Sequence, residues 1–206
     1  MRTKTIEVPG VGEVTLCKNP RARRYSISIT SKLKVRVNIP WLGTYLAGER
    51  LALSNAELIA QRIESMRARV SAKHDRPENA DIAGLTPEGR DAYVGRLRKQ
   101  AHEVLPELLH RYAVQMGVEY NRLFIKHNRS NWGSCSVRRN INLNINLMRL
   151  PEDLRAYVIL HELCHLSQMN HGPQFHALLQ SSCRAFIAPD ADETQLSRRL
   201  KRYMLI

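Results

Sequence analysis

A chain of 206 residues with 43% hydrophobic and 25% charged residues can bury one substantial core, which excludes wholesale disorder. It has no apolar run of the roughly 20 residues that cross a bilayer. Its N-terminus also lacks the apolar segment of a secretory signal. We therefore expect a cytoplasmic protein that does not enter a membrane.

The basic charge of the chain is concentrated in its first part. The formal net charge is +13, and residues 1–76 carry 15 Lys and Arg against 6 Asp and Glu. The counts are 11 against 7 in residues 77–150 and 6 against 6 in residues 151–206. Such an excess can attract nucleic acid, nucleotides or acidic substrates. It is equally compatible with a solvated basic surface, so nucleic acid is a candidate partner and no more.

The four cysteines are scattered and include no Cys-x-x-Cys pair. In a cytoplasmic protein this pattern predicts reduced thiols rather than a disulfide framework. The spacing also argues against a four-cysteine zinc site. These cysteines are Cys17, Cys135, Cys164 and Cys183.

The first 40 residues have the patterns of β structure. The turn residues 9–12 separate two short strand patterns and predict a hairpin. Period-two alternation over residues 24–30 and 32–39 predicts two more strands. Lys32, Lys34 and Arg36 would then face solvent. The buried face would carry Tyr25, Ile27, Ile29, Leu33, Val35, Val37 and Ile39.

Helical spacing dominates the middle of the chain. It predicts helices over residues 44–53, 55–73 and 91–116. Asn55 is the expected N-cap of the second helix, and Pro106 should kink or break the third.

The residues between the second and third helices, 76–89, are rich in Pro, Gly, Asp and Asn, which is typical of a connecting loop. We therefore expect a single domain over residues 1–206. Its two lobes would be a basic N-terminal part over residues 1–76 and a catalytic part over residues 90–206.

Two strands are predicted next, over residues 121–126 and 140–147, around a loop at residues 128–136. The second strand alternates apolar residues with asparagines. The asparagine face would either accept an extended peptide by β-augmentation or face solvent. The alternating asparagines are Asn142, Asn144 and Asn146.

The loop contains Trp132, Gly133 and Ser134, which could form the mouth of a functional site. Ser134 is a candidate for substrate binding. The alternative is a tight turn, in which Trp132 fills the core and Gly133 permits an unusual backbone angle.

A helix that begins near Pro151 carries the motif His-Glu-x-x-His on its apolar stripe. His161 and His165 are one turn apart, so both imidazoles can bind one metal ion. Glu162 is about 100° round the helix from His161, which places its carboxylate beside the metal, where it can take a proton from bound water. The pattern predicts a metal-dependent hydrolase.

A catalytic zinc ion needs a third protein ligand. His171 is the preferred candidate, because the helix-stopping residues around it let the chain fold back towards the metal. His176 is one turn into the next predicted helix, at residues 174–187, and is the alternative. Glu193 in the last predicted helix, at residues 191–204, is a more distant one.

Residues 161–166 and 169–175 together resemble the signature of the YgjP-like metallopeptidase family, and residues 132–136 and 141–144 are similar to its second block. The histidine segment is also related to that of the SprT-like and WLM metalloproteases. His176 departs from the pattern, since an aromatic residue is more usual there.

The resemblance implies an α+β, zincin-like fold, in which a mixed or antiparallel sheet packs on the active-site helix and further helices. It also implies His161, His165 and His171 as zinc ligands and Glu162 as the general base.

Three functions follow from these observations. The first is a zinc metallopeptidase in which Glu162 activates a zinc-bound water. The second is a hydrolase of nucleotides or other phosphoanhydrides that uses the same site, and the third is a nucleic-acid-binding protein with structural zinc. Nickel, cobalt and manganese stay open as native metals. His176, Arg129 and Asn131 are candidates to stabilise the oxyanion, and Ser134 and His176 to bind substrate.

Overall fold

The computed structural model describes residues 3–30 and 32–206, and its contacts divide the chain into two compact units, Met1–Ala72 and Lys73–Ile206. The single-domain organisation with lobes at 1–76 and 90–206 stays a prediction. No helix in the described ranges is long and apolar enough to span a membrane.

The first unit is built on a four-stranded mixed sheet of order β1-β2-β4-β3. The predicted hairpin is present, since β1 and β2 pair antiparallel across residues 9–11. β4 runs parallel to β2 and antiparallel to β3. Its elements are β1 (Thr3–Val8), β2 (Gly12–Asn19), β3 (Ser26–Ile29), β4 (Val35–Pro40), α1 (Tyr45–Ser54) and α2 (Ala56–His74).

The predicted buried face of this sheet is only partly buried. Val35, Val37 and Ile39 on the inner strand β4 are buried, but the predicted core residues of β3 and its flanks are only half-buried. The cause is topological, because β3 is the edge strand of the sheet. Leu33 is in the turn before β4 with a φ of 59° rather than in a strand. The half-buried residues are Tyr25, Ile27, Ile29 and Leu33.

Asn55 lies directly before α2 as predicted, and its backbone carbonyl accepts a hydrogen bond from the N–H of Ile59 at 2.9 Å, but its side chain caps the preceding helix instead. It is the C-cap residue of α1, and its amide nitrogen donates a hydrogen bond to the carbonyl oxygen of Leu51 at 2.9 Å. The short link between the two helices leaves Asn55 closer to the free carbonyls of α1.

The second unit contains a three-stranded mixed sheet of order β5-β7-β6, with α4 packed against β6 and β7. This arrangement confirms the predicted α+β class with a mixed sheet on the motif-bearing helix. Short 3-10 helices lie at Pro77–Asn79 and Ile145–Arg149. Its main elements are α3 (Pro87–Met116), β5 (Arg122–Lys126), β6 (Gly133–Cys135), β7 (Asn140–Asn144), α4 (Glu152–Cys164), α5 (Pro173–Phe186) and α6 (Glu193–Leu200).

The long helix α3 starts earlier than predicted and is not broken at Pro106. Thr86 caps it by accepting a hydrogen bond from the backbone N–H of Gly89 at 3.1 Å. Interior proline costs a helix about 3 kcal/mol. The fully buried side chains of Ala101, Leu105 and Leu109 on either side of Pro106 pack into the core and offset that cost.

Asn144 at the end of β7 and Asn146 just after it do not face solvent, because both are completely buried, and Asn142 is half-buried. β7 is also the central strand of its sheet, so both of its edges are paired and it cannot accept a peptide by β-augmentation. It ends at Asn144, where the 3-10 helix begins. The predicted strand over 140–147 was therefore too long.

The predicted loop at residues 76–89 contains a buried polar anchor. Asn79 is fully buried, and its amide nitrogen donates to the carbonyl oxygens of Lys73 at 2.8 Å and Arg202 at 2.9 Å. Its amide oxygen accepts from the backbone N–H of Met204 at 2.8 Å. One side chain thus ties the end of the chain to the segment before α3.

Replacing Asn79 by alanine leaves three backbone groups without their partner, so we expect the free energy of unfolding to fall by about 2–3 kcal/mol. Asn121→Ala, at an exposed asparagine, is the matched control and should change it by less than about 0.5 kcal/mol. Chemical denaturation measures both. Equal effects of the two substitutions would contradict the anchoring role of Asn79.

Candidate metal centre

Helix α4 places His161 and His165 on one side of the helix, with ring centroids 4.9 Å apart. The helix starts at Glu152, one residue later than predicted, with Pro151 in the N-cap position. Its apolar side chains are buried, which fixes the rotation of the helix. His165 is the C-cap residue, so the chain leaves the helix directly after the second histidine.

The chain then turns and brings His171 back onto the helix. The turn is closed by hydrogen bonds from the backbone N–H groups of Ser167 and Gln168 to the carbonyl oxygen of Cys164. Nε2 of His171 is 3.1 Å from Nε2 of His161. The ligand nitrogens of His161, His165 and His171 all lie within 4.8 Å of one another.

The 3.1 Å separation of the His161 and His171 nitrogens fits a shared metal ion. A tetrahedral ion bound at about 2.05 Å separates its nitrogen ligands by roughly 3.3 Å. His165 has the orientation expected of a ligand, since its Nδ1 is 3.1 Å from the carbonyl oxygen of Gln168 and Nε2 is the nitrogen that would bind the metal. Burial, followed by the neighbouring histidines, lowers the pKa of His161 to about 4, so this imidazole is neutral, the form that binds metal.

Phe175 supports all three histidines and was missed by the sequence reasoning. Its ring is fully buried, and its centroid is 4.6 to 4.9 Å from those of His161, His165 and His171. It stacks on His165 at an interplanar angle of 28°. Phe175 is the third residue of α5, which begins at Pro173 after the N-cap Gly172. A side chain in the first turn of a helix lies against the turn that precedes the helix, and this position was the available signal.

The carboxylate of Glu162 is buried beneath β6, with 5% of the residue exposed. A Cβ atom on Gly133 would lie 2.7 Å from Oε1 of Glu162, so the strand approaches the helix only because residue 133 has no side chain. The predicted reason for this glycine was wrong, since its φ is not positive. Burial raises the pKa of Glu162 to about 8.

The segment before β6 is held down by Asn144. Its amide nitrogen donates to the carbonyl oxygens of Asn128 at 2.7 Å and Asn131 at 2.8 Å, and its backbone N–H donates to the carbonyl of Trp132 at 2.9 Å. Asn144 thus fixes the chain that covers Glu162. The predicted loop therefore contains a strand whose path is set by a buried asparagine.

Of three other predicted site residues, Asn131 lines a cavity at the metal centre, whereas Ser134 and Arg129 line none of the described cavities. Ser134 faces the opposite side of β6 from Gly133, and its hydroxyl accepts a hydrogen bond from the amide of Asn142 at 2.9 Å. The cavity that Asn131 lines is beside His161, and Arg129 is exposed. Their roles in binding and oxyanion stabilisation stay predictions.

His176 and Glu193, the alternative third ligands, pair with each other instead of joining the histidine group. Nδ1 of His176 is 2.8 Å from Oε1 of Glu193. Both line a cavity of 370 Å³ beside His161 and His171. A role of His176 in substrate binding stays a prediction.

The metal centre opens on two adjoining cavities. The first, of 320 Å³, is lined in part by Trp132, Val158 and Glu162. The second is the 370 Å³ cavity of His176 and Glu193. We call the two together the cleft. Both cavities are lined by Tyr157, His161, Ser197 and Lys201. Of these four residues, the sequence identified only His161 as part of the site. The available signal was for Tyr157, which is one helical turn before His161.

Substituting Phe175 by alanine removes the ring that orients the three histidines. We expect metal affinity to fall about 10- to 100-fold, as for loss of other groups that hold ligands in place. Competition with a chromogenic chelator measures this. Phe175→Leu should keep most of the affinity, and Phe186→Ala, on the same helix but away from the histidines, should leave it unchanged. Equal metal affinity in all three variants would contradict this role.

Comparisons with known proteins bear on this arrangement. A family model described as "YgjP-like, metallopeptidase domain" matches residues 34–188. Two crystal structures of metallopeptidase zymogens are similar over 47% of this chain, each with a TM-score of 0.40. They are abylysin of Pyrococcus abyssi, at 19% identity and 91% coverage of that chain, and jannalysin of Methanocaldococcus jannaschii, at 22% and 93%. No curated protein matches the chain. Because the family model spans well over half of it, this chain belongs to the YgjP-like metallopeptidase family.

Proposed function

We propose that this protein is a zinc-dependent peptidase in which Glu162 is the general base. The observation that carries the proposal is a group of three imidazole nitrogens within 4.8 Å of one another, beside a buried carboxylate that lines the same cleft as His161. Membership in a metallopeptidase family supports a peptide as substrate. Hydrolysis of nucleotides or other phosphoanhydrides by the same site is the alternative.

The donor set supports zinc as the metal. Three neutral imidazoles are the ligands of many catalytic zinc sites, and three protein ligands leave a fourth position open. A zinc ion held there would supply Lewis acidity, which polarises a peptide carbonyl and acidifies water. Elemental analysis of the protein as purified would show zinc at about one equivalent, and nickel, cobalt or manganese in its place would contradict this choice.

Glu162 is placed to carry the proton. Its carboxylate is next to the histidines on α4 and is shielded from bulk water by β6. It would accept a proton from the attacking water and deliver it to the nitrogen of the leaving amine. Its raised pKa, caused by burial, makes it a stronger base than an exposed carboxylate.

The edge strand β6 is the proposed place for the peptide backbone. β6 pairs with β7 on one side and ends the described sheet on the other. An extended peptide could add to this free edge by β-augmentation, where main-chain hydrogen bonds fix its register. Its carbonyl would then lie near Glu162, which Gly133 of β6 approaches closely.

Glu162→Gln keeps the shape of the side chain but removes the base. We expect metal content to persist and peptide hydrolysis to fall by about 10²- to 10⁴-fold. A peptide and nucleotide substrate screen, with and without chelator, gives the readout. Glu103→Gln, at an exposed position of α3, is the control and should keep full activity. Chelator-sensitive release of phosphate without peptide cleavage would favour the nucleotide alternative.

Gly133→Ala places a methyl group at 2.7 Å from Oε1 of Glu162, so either β6 or the carboxylate must shift. We expect turnover to fall at least about tenfold while zinc content is unchanged, because an ångström-scale displacement is costly in catalysis. Gly95→Ala has open space for its methyl group and is the matched control. Full activity of Gly133→Ala would contradict the position assigned to the base.

A further inference from the structure

Helix α6 and the two residues after it carry four cations with different partners. Arg199 pairs with Asp153, and Arg202 pairs with Glu78 at 2.7 Å. Arg198 and Lys201 are exposed, and within the described ranges no carboxylate lies within ion-pair distance of either. The protein therefore neutralises two of these four charges internally and leaves two for solvent or a ligand.

The two unpaired cations line the cleft at the histidine group. Arg198 and Lys201 both line the 370 Å³ cavity together with His161 and His171. Lys201 also lines the adjoining 320 Å³ cavity, beside Glu162. A ligand that reaches the metal centre through this cavity must pass these charges.

The carboxylate that lines this cavity, that of Glu193, is hydrogen-bonded to His176. Among its described lining residues, Glu193 alone is acidic, and it is 2.8 Å from Nδ1 of His176. Its side chain is only 16% exposed, so it is directed at His176 rather than at Arg198 or Lys201. The described lining thus has two cations, Arg198 and Lys201, against this one carboxylate, and an incoming group meets an excess of positive charge.

We propose that Arg198 and Lys201 bind a carboxylate of the peptide substrate and make this peptidase selective for acidic sequence next to the cleaved bond. This inference rests on the proposed function and names its substrate class. The arginine fork can hold a carboxylate with two parallel hydrogen bonds, and the lysine ammonium adds a point charge. The carboxylate is that of an Asp or Glu side chain or of the peptide C-terminus.

The kinetic test uses the zinc-loaded protein. A library of N-acetylated, C-amidated peptides read by mass spectrometry locates cleaved bonds, and matched peptides then carry Glu or Gln beside that bond. We expect kcat/KM to be about tenfold higher for Glu, mostly through KM, because each exposed ion pair is worth up to about fivefold. A third peptide with neutral side chains and a free C-terminus distinguishes the two sources of carboxylate.

The variants locate the selectivity. Arg198→Gln and Lys201→Gln should each reduce the preference for Glu about three- to fivefold, and the double variant should abolish it. Replacing both by glutamate should reverse it in favour of Lys. Arg184→Gln removes an exposed cation outside the cleft and should keep the wild-type preference, which controls for net charge.

A binding measurement separates this inference from the proposed function. Calorimetry on the zinc-loaded Glu162→Gln variant compares the same peptides without turnover, and Glu should bind about tenfold more tightly than Gln. Equal binding and equal cleavage of the Glu, Gln and free C-terminal peptides would overturn the inference while the peptidase activity stands. Tighter binding of Glu without cleavage by the wild type would support the inference and contradict the proposed function.

Discussion

The contact between Gly133 and Glu162 is the constraint on which the rest of the site depends. Shielding a carboxylate from water disfavours its charged form, so burial raises the pKa of Glu162 and makes it a stronger base. β6 provides that cover, and only a residue without a side chain lets it lie so close to α4. β6 is held in turn by Asn144, whose amide binds the backbone of the preceding segment. A mechanism that needs a shielded base is thus connected to a buried asparagine one strand away.

The turn after α4 brings the third histidine to the metal site. On a continuous helix His171 would lie about 240° round from His165 and point away from the first two ligands, so the chain must turn before it. Ending α4 at Cys164 permits that reversal and leaves the carbonyl of Gln168 free to orient His165. Phe175 then packs against all three rings. The centre therefore combines local spacing with one buried aromatic side chain from the next helix.

How far the sequence predicts this structure depends on whether the signal is local. The position of α4 and the pairing of His161 with His165 follow from helical periodicity, whereas the α+β class was implied by the family resemblance. The alternation of residues in β7 correctly predicted a strand. It could not show whether Asn144 binds water or, as the structure has it, the backbone of the preceding loop. Three-residue β6 is too short to show a period. The buried Asn79 depends on residues about 125 positions later, which no local pattern reports.

A count of charged residues likewise cannot predict the charge at a particular site. Residues 151–206 carry equal numbers of acidic and basic side chains, so the count predicts a neutral catalytic segment. The structure distributes these charges unevenly, since Asp153 is paired with Arg199 and Glu193 with His176. Among the described residues no carboxylate pairs with Arg198 or Lys201, so the cavity beside the histidine group has two unpaired cations against one carboxylate. A field at a site is set by the charges without nearby partners, and net charge constrains long-range attraction but not local selectivity. The basic character of the whole chain and the basic wall of the cleft are thus separate properties, because the first is a sum over the sequence and the second is a consequence of pairing.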